Sequence, residues 1–498
     1  MHFSQKNNET IKLAEEKLAA RFKEIEETAY KNQLKVIRAF QKNGVQSRHF
    51  SGSTGYGYGD DGRDKLNAVY ADAFDADSAI ASPLIASGTH ALTLMLFGIL
   101  RPGDTLLSIT GEPYDTLTPL ISGEKLGSLK DFDIKFECVP LLNDELDTEA
   151  ITRFLTLRPV KAVFIQRSRG YNWRPALSIE KISAIIKIIK TVSPKTIIAV
   201  DNCYGEFVEE VEPTAVGADI MAGSLIKNAG GGLAPTGGYV AGKKRLVELV
   251  SYRLTTPAIG CEIGSYAPGY LAFYQGLFLA PVTVAAALKG SMLFGQLFSD
   301  LGYDTLPKAG GRCYDIIRSI KFNTEEELIS FCQKIQKASP VDSAAVPEPW
   351  QMPGYQNQVI MAAGTFIQGA SIELSADSPI KEPYIAYFQG GLTYEHIKIA
   401  AQYALEDLIC GDKTKSGESL IEMLKLMPIA EISRILQSDD DDISEWEYIN
   451  AYDQLLSHAV RVRYNITKAD ANELYFHYRT NGKSVEETIK ILLEQDEI

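Results

Sequence analysis

Apolar side chains recur at helical spacing between residues 10 and 41, at Ile11, Leu13, Ala14, Leu18, Phe22 and Ile25, among glutamates and lysines and without glycine or proline. Residues three and four apart share one face of a helix, so this pattern predicts a long amphipathic helix. A glycine-rich loop, Ser51-Gly-Ser-Thr-Gly-Tyr-Gly-Tyr-Gly59, follows and leads into a second helical stretch near Arg63 to Phe74. The pattern then changes. Short β-rich runs appear at Leu106–Ile109, Ile134–Leu141, Ala162–Ile165, Ile197–Val200, Ile220–Ala222 and Gly238–Ala241. Helical segments separate several of them, notably Ser178–Thr191, where Ile182, Ile185, Ile186 and Ile189 line one face. Strand alternating with helix predicts an α/β domain with a mainly parallel sheet covered by helices on both sides.

From about residue 291 the spacing differs again, with strand candidates Asp315–Phe322, Gln358–Phe366 and Ile372–Ala376 around a helix opened by Thr324-x-x-Glu327. This reads as a smaller α+β domain. Beyond Cys410 strand signals nearly vanish, and the capping boxes Ser444-x-x-Glu447 and Ser484-x-x-Glu487 predict a helical appendage. The expected organisation is an N-terminal helical segment (1–50), a large domain (51–290), a small domain (291–410) and a helical tail (411–498). One stretch, Tyr270–Leu288, is uncharged for about the length of a membrane span. Gln275, Gly276 and Pro281 interrupt it, so it reads as a buried interdomain or subunit-interface segment, and no membrane association is expected.

Composition changes this picture little: 498 residues, 45% hydrophobic and 23% charged, are ordinary for a globular chain with a large core. A net charge of −14 argues against nucleic-acid binding, which needs clustered Lys and Arg. The six scattered cysteines contain no C-x-x-C pair and no secretory leader begins at Met1, so a reduced cytoplasm is expected. No metal site is expected either. The histidines lack ligand spacing, and the acidic run Asp439–Asp442 complements the start of the following helix. His90 and Cys203 read as structural residues.

Chemistry concentrates in a few places. Asp201 ends the β-rich run Thr196–Val200, and ligands collect at the carboxyl ends of strands in open α/β sheets. Lys227 closes another such run and precedes a loop of little side-chain bulk, Asn228 to Gly238. Singly, Asp201 also reads as a turn former and Lys227 as a solvated lysine. Together they match pyridoxal-phosphate chemistry. The amine forms an imine from its neutral state, so a depressed lysine pKa is expected, and the carboxylate keeps the pyridine nitrogen protonated. Ser87-Gly88-Thr89 opens an apolar helical run, a setting that suits phosphate. Tyr114 follows a β-rich run and is placed to stack on a cofactor face.

At this point the chain resembles the fold-type-I pyridoxal-phosphate enzymes, and more closely the methionine γ-lyase-like family of aluminium-resistance proteins, relatives of the cystathionine lyases. The resemblance covers residues 25 to 410. It rests on Gly52-Ser-Thr-Gly-Tyr-Gly-Tyr58, Ser87-Gly-Thr-His-Ala91, Gln166-Arg-Ser-Arg-Gly-Tyr171, Val200-Asp-Asn-Cys-Tyr-Gly-Glu-Phe207, Gly223-Ser-Leu-Ile-Lys227 and Gln389-Gly-Gly-Leu-Thr393. It implies pyridoxal 5′-phosphate as cofactor, Lys227 as imine lysine and proton shuttle, and Asp201 as pyridinium partner. It also implies phosphate binding by Ser87, Gly88, Thr89 and Ser224, and stacking and leaving-group assistance by Tyr114. Tyr56 and Tyr58 resemble a loop that reaches the neighbouring subunit's phosphate, which implies a homodimer or homotetramer.

The chain departs from the wider transsulfuration pattern in three ways. Ile226 stands where a threonine is expected. The usual Asn-Pro beside the cofactor's 3-hydroxyl is absent, leaving Ser168, Arg169 and Asn172 as nearby candidates. No clear arginine clamps a substrate carboxylate; Lys381 is the candidate, with Arg169 and Asn172 as further substrate-side residues. The expected activity is carbon–sulfur lyase action on methionine, cystathionine or cysteine. The alternatives are a γ-replacement synthase or other amino-acid enzyme with the same cofactor, and a binding or regulatory protein on the same fold.

Overall fold

The computed structural model describes residues 5–352, 355 and 357–406, so the expected helical tail, its capping boxes and the Asp439–Asp442 run lie outside the described residues. The first amphipathic pattern forms α1 (Gln5–Lys42), which buries Ile11, Ala14, Leu18, Val36 and Ala39. Leu13, expected on the same face, is exposed. Next come α2 (Asp61–Ala73) and α3 (Gly88–Ile99), then α4 (Thr118–Ser122), α5 (Thr148–Leu157), α6 (Ile179–Val192) and α7 (Lys244–Leu254). Ser178 caps α6, accepting from the Lys181 N–H at 3.2 Å.

Among these helices run seven strands: β1 (Ser78–Ser82), β2 (Thr105–Ser108), β3 (Lys135–Cys138), β4 (Ala162–Gln166), β5 (Ile197–Asp201), β6 (Ile220–Ser224) and β7 (Gly238–Gly242). They form one sheet in the order β1-β7-β6-β5-β4-β2-β3. Only β7 runs antiparallel to its neighbours, so the sheet is mainly parallel. All of β4 is buried. Ala162 and Phe164 join the core with Leu92 and Met95 of α3, while Val163 and Ile165 join the opposite core with Ile182 and Ile185 of α6. Side chains alternate across a strand, so helices must cover both faces, and burying a residue such as Phe164 contributes about 1.5–3 kcal/mol. Parallel pairing also aligns the strand ends. Gln166 pairs with Asp201 and Asp201 with Ala222, which brings the ends of β4, β5 and β6 to one edge.

The uncharged stretch becomes α8 (Leu271–Asp300), the one helix among the described residues long and apolar enough to cross a membrane. Within its apolar window 72% of the residues are buried inside the protein. It packs along α1, and Gly276 lies so close to Gly230 that a Cβ there would come within 2.2 Å of the Gly230 carbonyl oxygen. The helix runs through residue 290 without a break, joining the segments on either side of the expected boundary.

Five further strands, β8 (Asp304–Leu306), β9 (Arg318–Lys321), β10 (Val359–Ala362), β11 (Ser375–Pro379) and β12 (Ile385–Gln389), form an antiparallel sheet in the order β10-β11-β12-β9-β8. Helices α9 (Glu325–Lys337) and α10 (Tyr394–Leu405) accompany it, and Thr324 caps α9 by accepting from the Glu327 N–H at 3.2 Å. Phe294 of α8 stacks on Phe388 of β12 with centroids 3.9 Å apart, and Phe331 of α9 packs edge-on to Phe294. The expected strand Ile372–Ala376 is displaced to Ser375–Pro379. Ile372 and Leu374 are buried without belonging to the ladder, and the Glu373 carboxylate accepts from the Phe366 and Ile367 N–H groups, holding this stretch as a turn.

Candidate active site

At the aligned ends of β4, β5 and β6 lies a cavity of about 260 Å³ that receives Ser87, Gly88, Thr89, Tyr114, Asp201, Ser224 and Lys227 from four separate segments. Its first wall is the start of α3. The Ser87 hydroxyl accepts from the His90 N–H at 3.1 Å, and the His90 Nδ1 accepts from the Ala86 N–H at 3.0 Å, so His90 serves the turn. The first N–H groups of a helix have no partner within it, and those of Gly88 and Thr89 open this one. A Cβ at Gly88 would lie 3.2 Å from the Ser224 Cβ and 3.3 Å from the Cys203 Sγ. Glycine therefore lets the helix end close on the strand ends. Thr89 Oγ1 and Thr116 Oγ1 are 3.3 Å apart, so hydroxyls gather beside these N–H groups, an arrangement that suits an anion such as phosphate.

Asp201 terminates β5 and is 7% exposed, its Oδ1 accepting from the Cys203 N–H at 3.0 Å. Burial pushes its carboxyl above the ordinary range, while Lys227 opposes that rise. The Lys227 Nζ sits 3.9 Å from the centroid of the Tyr204 ring. Tyr204 holds a φ of +69°, a conformation that side chains rarely adopt and that here turns the loop back beneath the lysine. Burial alone pulls the Lys227 amine down, but attraction to Cys203, Tyr204 and Asp201 outweighs it and the amine is held above its ordinary value. This direction is opposite to the depressed amine pKa expected from imine chemistry, because the acidic groups packed around the amine outweigh its burial. Burial pushes the Cys203 thiol far up, as suits a structural thiol.

Several cavity residues carried no local signal in the sequence. The Gln166 side chain accepts from the Tyr114 N–H at 2.8 Å and donates to the Ser168 carbonyl at 3.1 Å, which fixes the Tyr114 loop. The Tyr114 hydroxyl lies 2.7 Å from that of Tyr355, and its ring meets Tyr171 edge-on at 5.4 Å. Burial, then Tyr355 and Asp377, push the Tyr114 phenol well up, so it is a proton donor at neutral pH. Tyr171, Tyr204, Tyr355, Asp377, Tyr387 and Gln389 complete this side. Asp377 comes from β11 of the second sheet, and burial pushes its carboxyl up to about 7 against hydrogen bonding by Tyr171 and attraction to Lys227. Only neighbouring motif letters, such as Gln166 and Tyr171, pointed toward any of them.

Other expected residues lie elsewhere. Lys381 is exposed beyond the end of β11 and does not line the cavity. Arg169 is fully buried but spends its guanidinium on Asp315 at 3.2 Å and on the Leu306 carbonyl at 2.7 Å. Asn172 is exposed outside the cavity. Ser168 does line the cavity, with its hydroxyl donating to Asp315 at 2.8 Å. Tyr56 and Tyr58 are 71% and 66% exposed, outside their own chain's cavity. Their loop is nevertheless held: the Gly264 N–H donates to the Tyr56 carbonyl at 2.9 Å and Arg63 to the Gly57 carbonyl at 3.0 Å. Gly55, Gly57 and Gly59 all have positive φ, which is why glycine alternates there. Ile226 lines the cavity where a hydroxyl was expected.

Behind Lys227 a buried acid completes the electrostatics. Glu206 is fully buried, accepts from the Tyr239 hydroxyl at 2.8 Å, and leaves its Oε2 without a partner. Burial pushes its carboxyl from 4.5 up to about 8. The folded chain therefore binds more protons here than the unfolded chain across that window, so stability is full below it and falls as pH rises toward 8. Glu206→Gln keeps an acceptor for Tyr239 and removes the titration. Its melting temperature is expected to exceed the parent's at pH 8, with the advantage shrinking toward pH 5; an equal offset at both pH values would contradict this.

The methionine gamma-lyase family model matches residues 7–409. The Bacillus subtilis protein YnbB is 50% identical over 396 residues, covering 79% of this chain and 94% of that protein. Among solved structures, a carbon-sulfur lyase involved in aluminum resistance from Clostridium novyi is 49% identical with a TM-score of 0.78, covering 81% of this chain and 96% of that one. A Listeria monocytogenes protein, a candidate cystathionine beta-lyase involved in aluminum resistance, is 51% identical with a TM-score of 0.79, covering 80% of this chain and all of its own. The pyridoxal-5′-phosphate-dependent protein YhfS of Escherichia coli, at 16% identity and a TM-score of 0.54, shares the fold. With the match running through both sheets and every cavity-lining segment, the chain belongs to the methionine gamma-lyase family.

Proposed function

We propose that this pyridoxal-phosphate-dependent lyase breaks a carbon–sulfur bond of a sulfur-containing amino acid by β- or γ-elimination. The observation that carries the reading is the meeting of Lys227, Asp201 and the open end of α3 on one cavity. These residues fit the cofactor. Gly88 and Thr89 N–H groups with the Ser224 hydroxyl would hold its phosphate, the Asp201 carboxylate would pair with its ring nitrogen, and Lys227 would anchor it through the amine. Bound there, the cofactor supplies an electron-accepting ring that stabilises negative charge on the carbon beside the substrate amine. The substrate amine would displace Lys227 from the cofactor, and the freed neutral amine would take the proton from that carbon, while the Tyr114 phenol, kept protonated by its burial, lines the same cavity as a proton source for the departing group. The description of the Clostridium novyi relative as a carbon-sulfur lyase supports the same reaction class. Tyr56 and Tyr58, exposed on a held loop, fit a homodimer or homotetramer in which they serve a neighbouring cavity.

The test is a panel of methionine, cystathionine and cysteine, each supplied alone and followed by 2-oxo acid release and visible absorbance. At least one should yield a 2-oxo acid and ammonia. Product formed only when a second thiol is added would replace the lyase with a γ-replacement synthase. A bound cofactor with no turnover of any member would favour a binding protein.

A further inference from the structure

Only three charged side chains line the cavity among the described residues: Asp201, Lys227 and Asp377. The proposed function assigns the first two to the cofactor. Asp377 remains, at the middle of β11, lining the cavity with partial exposure, its buried Oδ1 in no hydrogen bond of ordinary geometry although the Tyr171 phenol acts on the carboxyl. Around it stand Tyr114, Tyr171, Tyr204, Tyr355 and Tyr387, each of whose phenols feels its charge. Phenol groups orient an acid without neutralising it, and Lys227 is the only cation lining the cavity among the described residues. Burial holds this acid up to about 7, so an ammonium bound beside it would favour the carboxylate and be held by it, where an uncharged group would not. The substrate-facing wall is therefore acidic, where lysine was expected to supply a positive charge.

We propose that Asp377 is a specificity-determining residue that binds an ammonium group on the sulfur-borne portion of the substrate. This rests on the lyase reading and narrows it to thioether amino acids carrying a second, cationic group. An apolar side chain such as that of methionine leaves the acid unpaired, and a distal carboxylate alone is repelled.

Three S-substituted cysteines of similar length test this on the holoenzyme: S-(2-aminoethyl)-L-cysteine, S-propyl-L-cysteine and S-(carboxymethyl)-L-cysteine. Turnover is measured by 2-oxo acid release and binding by titration of the cofactor absorbance. The parent should favour the aminoethyl compound and disfavour the carboxymethyl one. Asp377→Asn should lower kcat/KM and affinity for the aminoethyl compound by about 10–100-fold, the usual contribution of a hydrogen bond to a charged group. The propyl compound should be unchanged or improved. Equal losses on all three compounds, or no preference in the parent, would overturn the assignment. If no compound turns over, the lyase reading fails, while the absorbance titration still decides whether Asp377 selects the cation.

Discussion

Lys227→Ala is expected to lower turnover by at least about 10²–10⁴-fold, the range that general acid–base catalysis contributes, and to abolish the visible absorbance of covalently held cofactor. Two effects are mixed in that variant. Alanine removes the nucleophilic amine, and it also removes the cation that faces Asp201, Asp377 and Glu206. Lys227→Arg separates them. A guanidinium keeps the charge above the Tyr204 ring but stays protonated and cannot act as a base at neutral pH. Both variants should be inactive, with the arginine form retaining more of the parent's melting temperature. Turnover at the parental rate in either variant, with cofactor absorbance intact, would remove Lys227 from the chemistry.

How far the sequence foretold this site depends on the range over which each residue is specified. Ser87, Gly88 and Thr89 belong to a helix start, and Asp201 and Ser224 to strand ends; a short window contains everything that places them. The succession of strands and helices likewise announced a sheet covered on both faces. Asp377 is a different case. Its orientation follows from the register of β11 against β12, where it pairs with Tyr387, and from the docking of the second sheet beside the first. No local pattern encodes either. The apolar Ile372 and Leu374 drew the expected strand toward the N-terminus, although they are buried outside the ladder. With the strand at its observed place, Asp377 faces the cavity and Lys381 lies past the strand's end. Arg169 misled for a related reason. Its place in Gln166-Arg-Ser-Arg-Gly-Tyr171 made it a candidate for the cofactor's 3-hydroxyl and for the substrate, but its partner Asp315 comes from a distant segment that sequence spacing does not reveal.

Arg167→Met is expected to destabilise the protein by about 3–5 kcal/mol, because removing one partner of a buried ion pair leaves the other uncompensated. Arg167 has no solvent exposure and reaches Asn202 Oδ1 at 2.9 Å, the Gly205 carbonyl at 2.9 Å and Glu209 at 2.8 Å. Glu212, equally buried, lies 3.6 Å away and accepts from Asn202 Nδ2 and the Phe207 N–H, both at 2.9 Å. The loop after β5 is thus wrapped on one guanidinium. Gly205 belongs to the same arrangement, since a Cβ there would lie 2.6 Å from Arg167 Cδ. Methionine fills much of the volume but supplies no charge or donor, so Glu212 keeps two neutral donors and loses its cation. The loop carries Tyr204, whose ring faces Lys227, and begins beside Asp201, so cofactor affinity should fall together with stability. Urea unfolding is the measurement: the midpoint should drop with an unchanged slope, as for lost native interactions rather than an altered unfolded state. Adding Glu209→Leu and Glu212→Leu removes the stranded acids and should recover part of the stability, but not the cofactor affinity, because the polar frame that sets the loop is gone. A loss in Arg167→Met below about 1 kcal/mol would mean that the strand ends alone hold Asp201 and Tyr204 in place, and the buried ion pairs would then be incidental to the site.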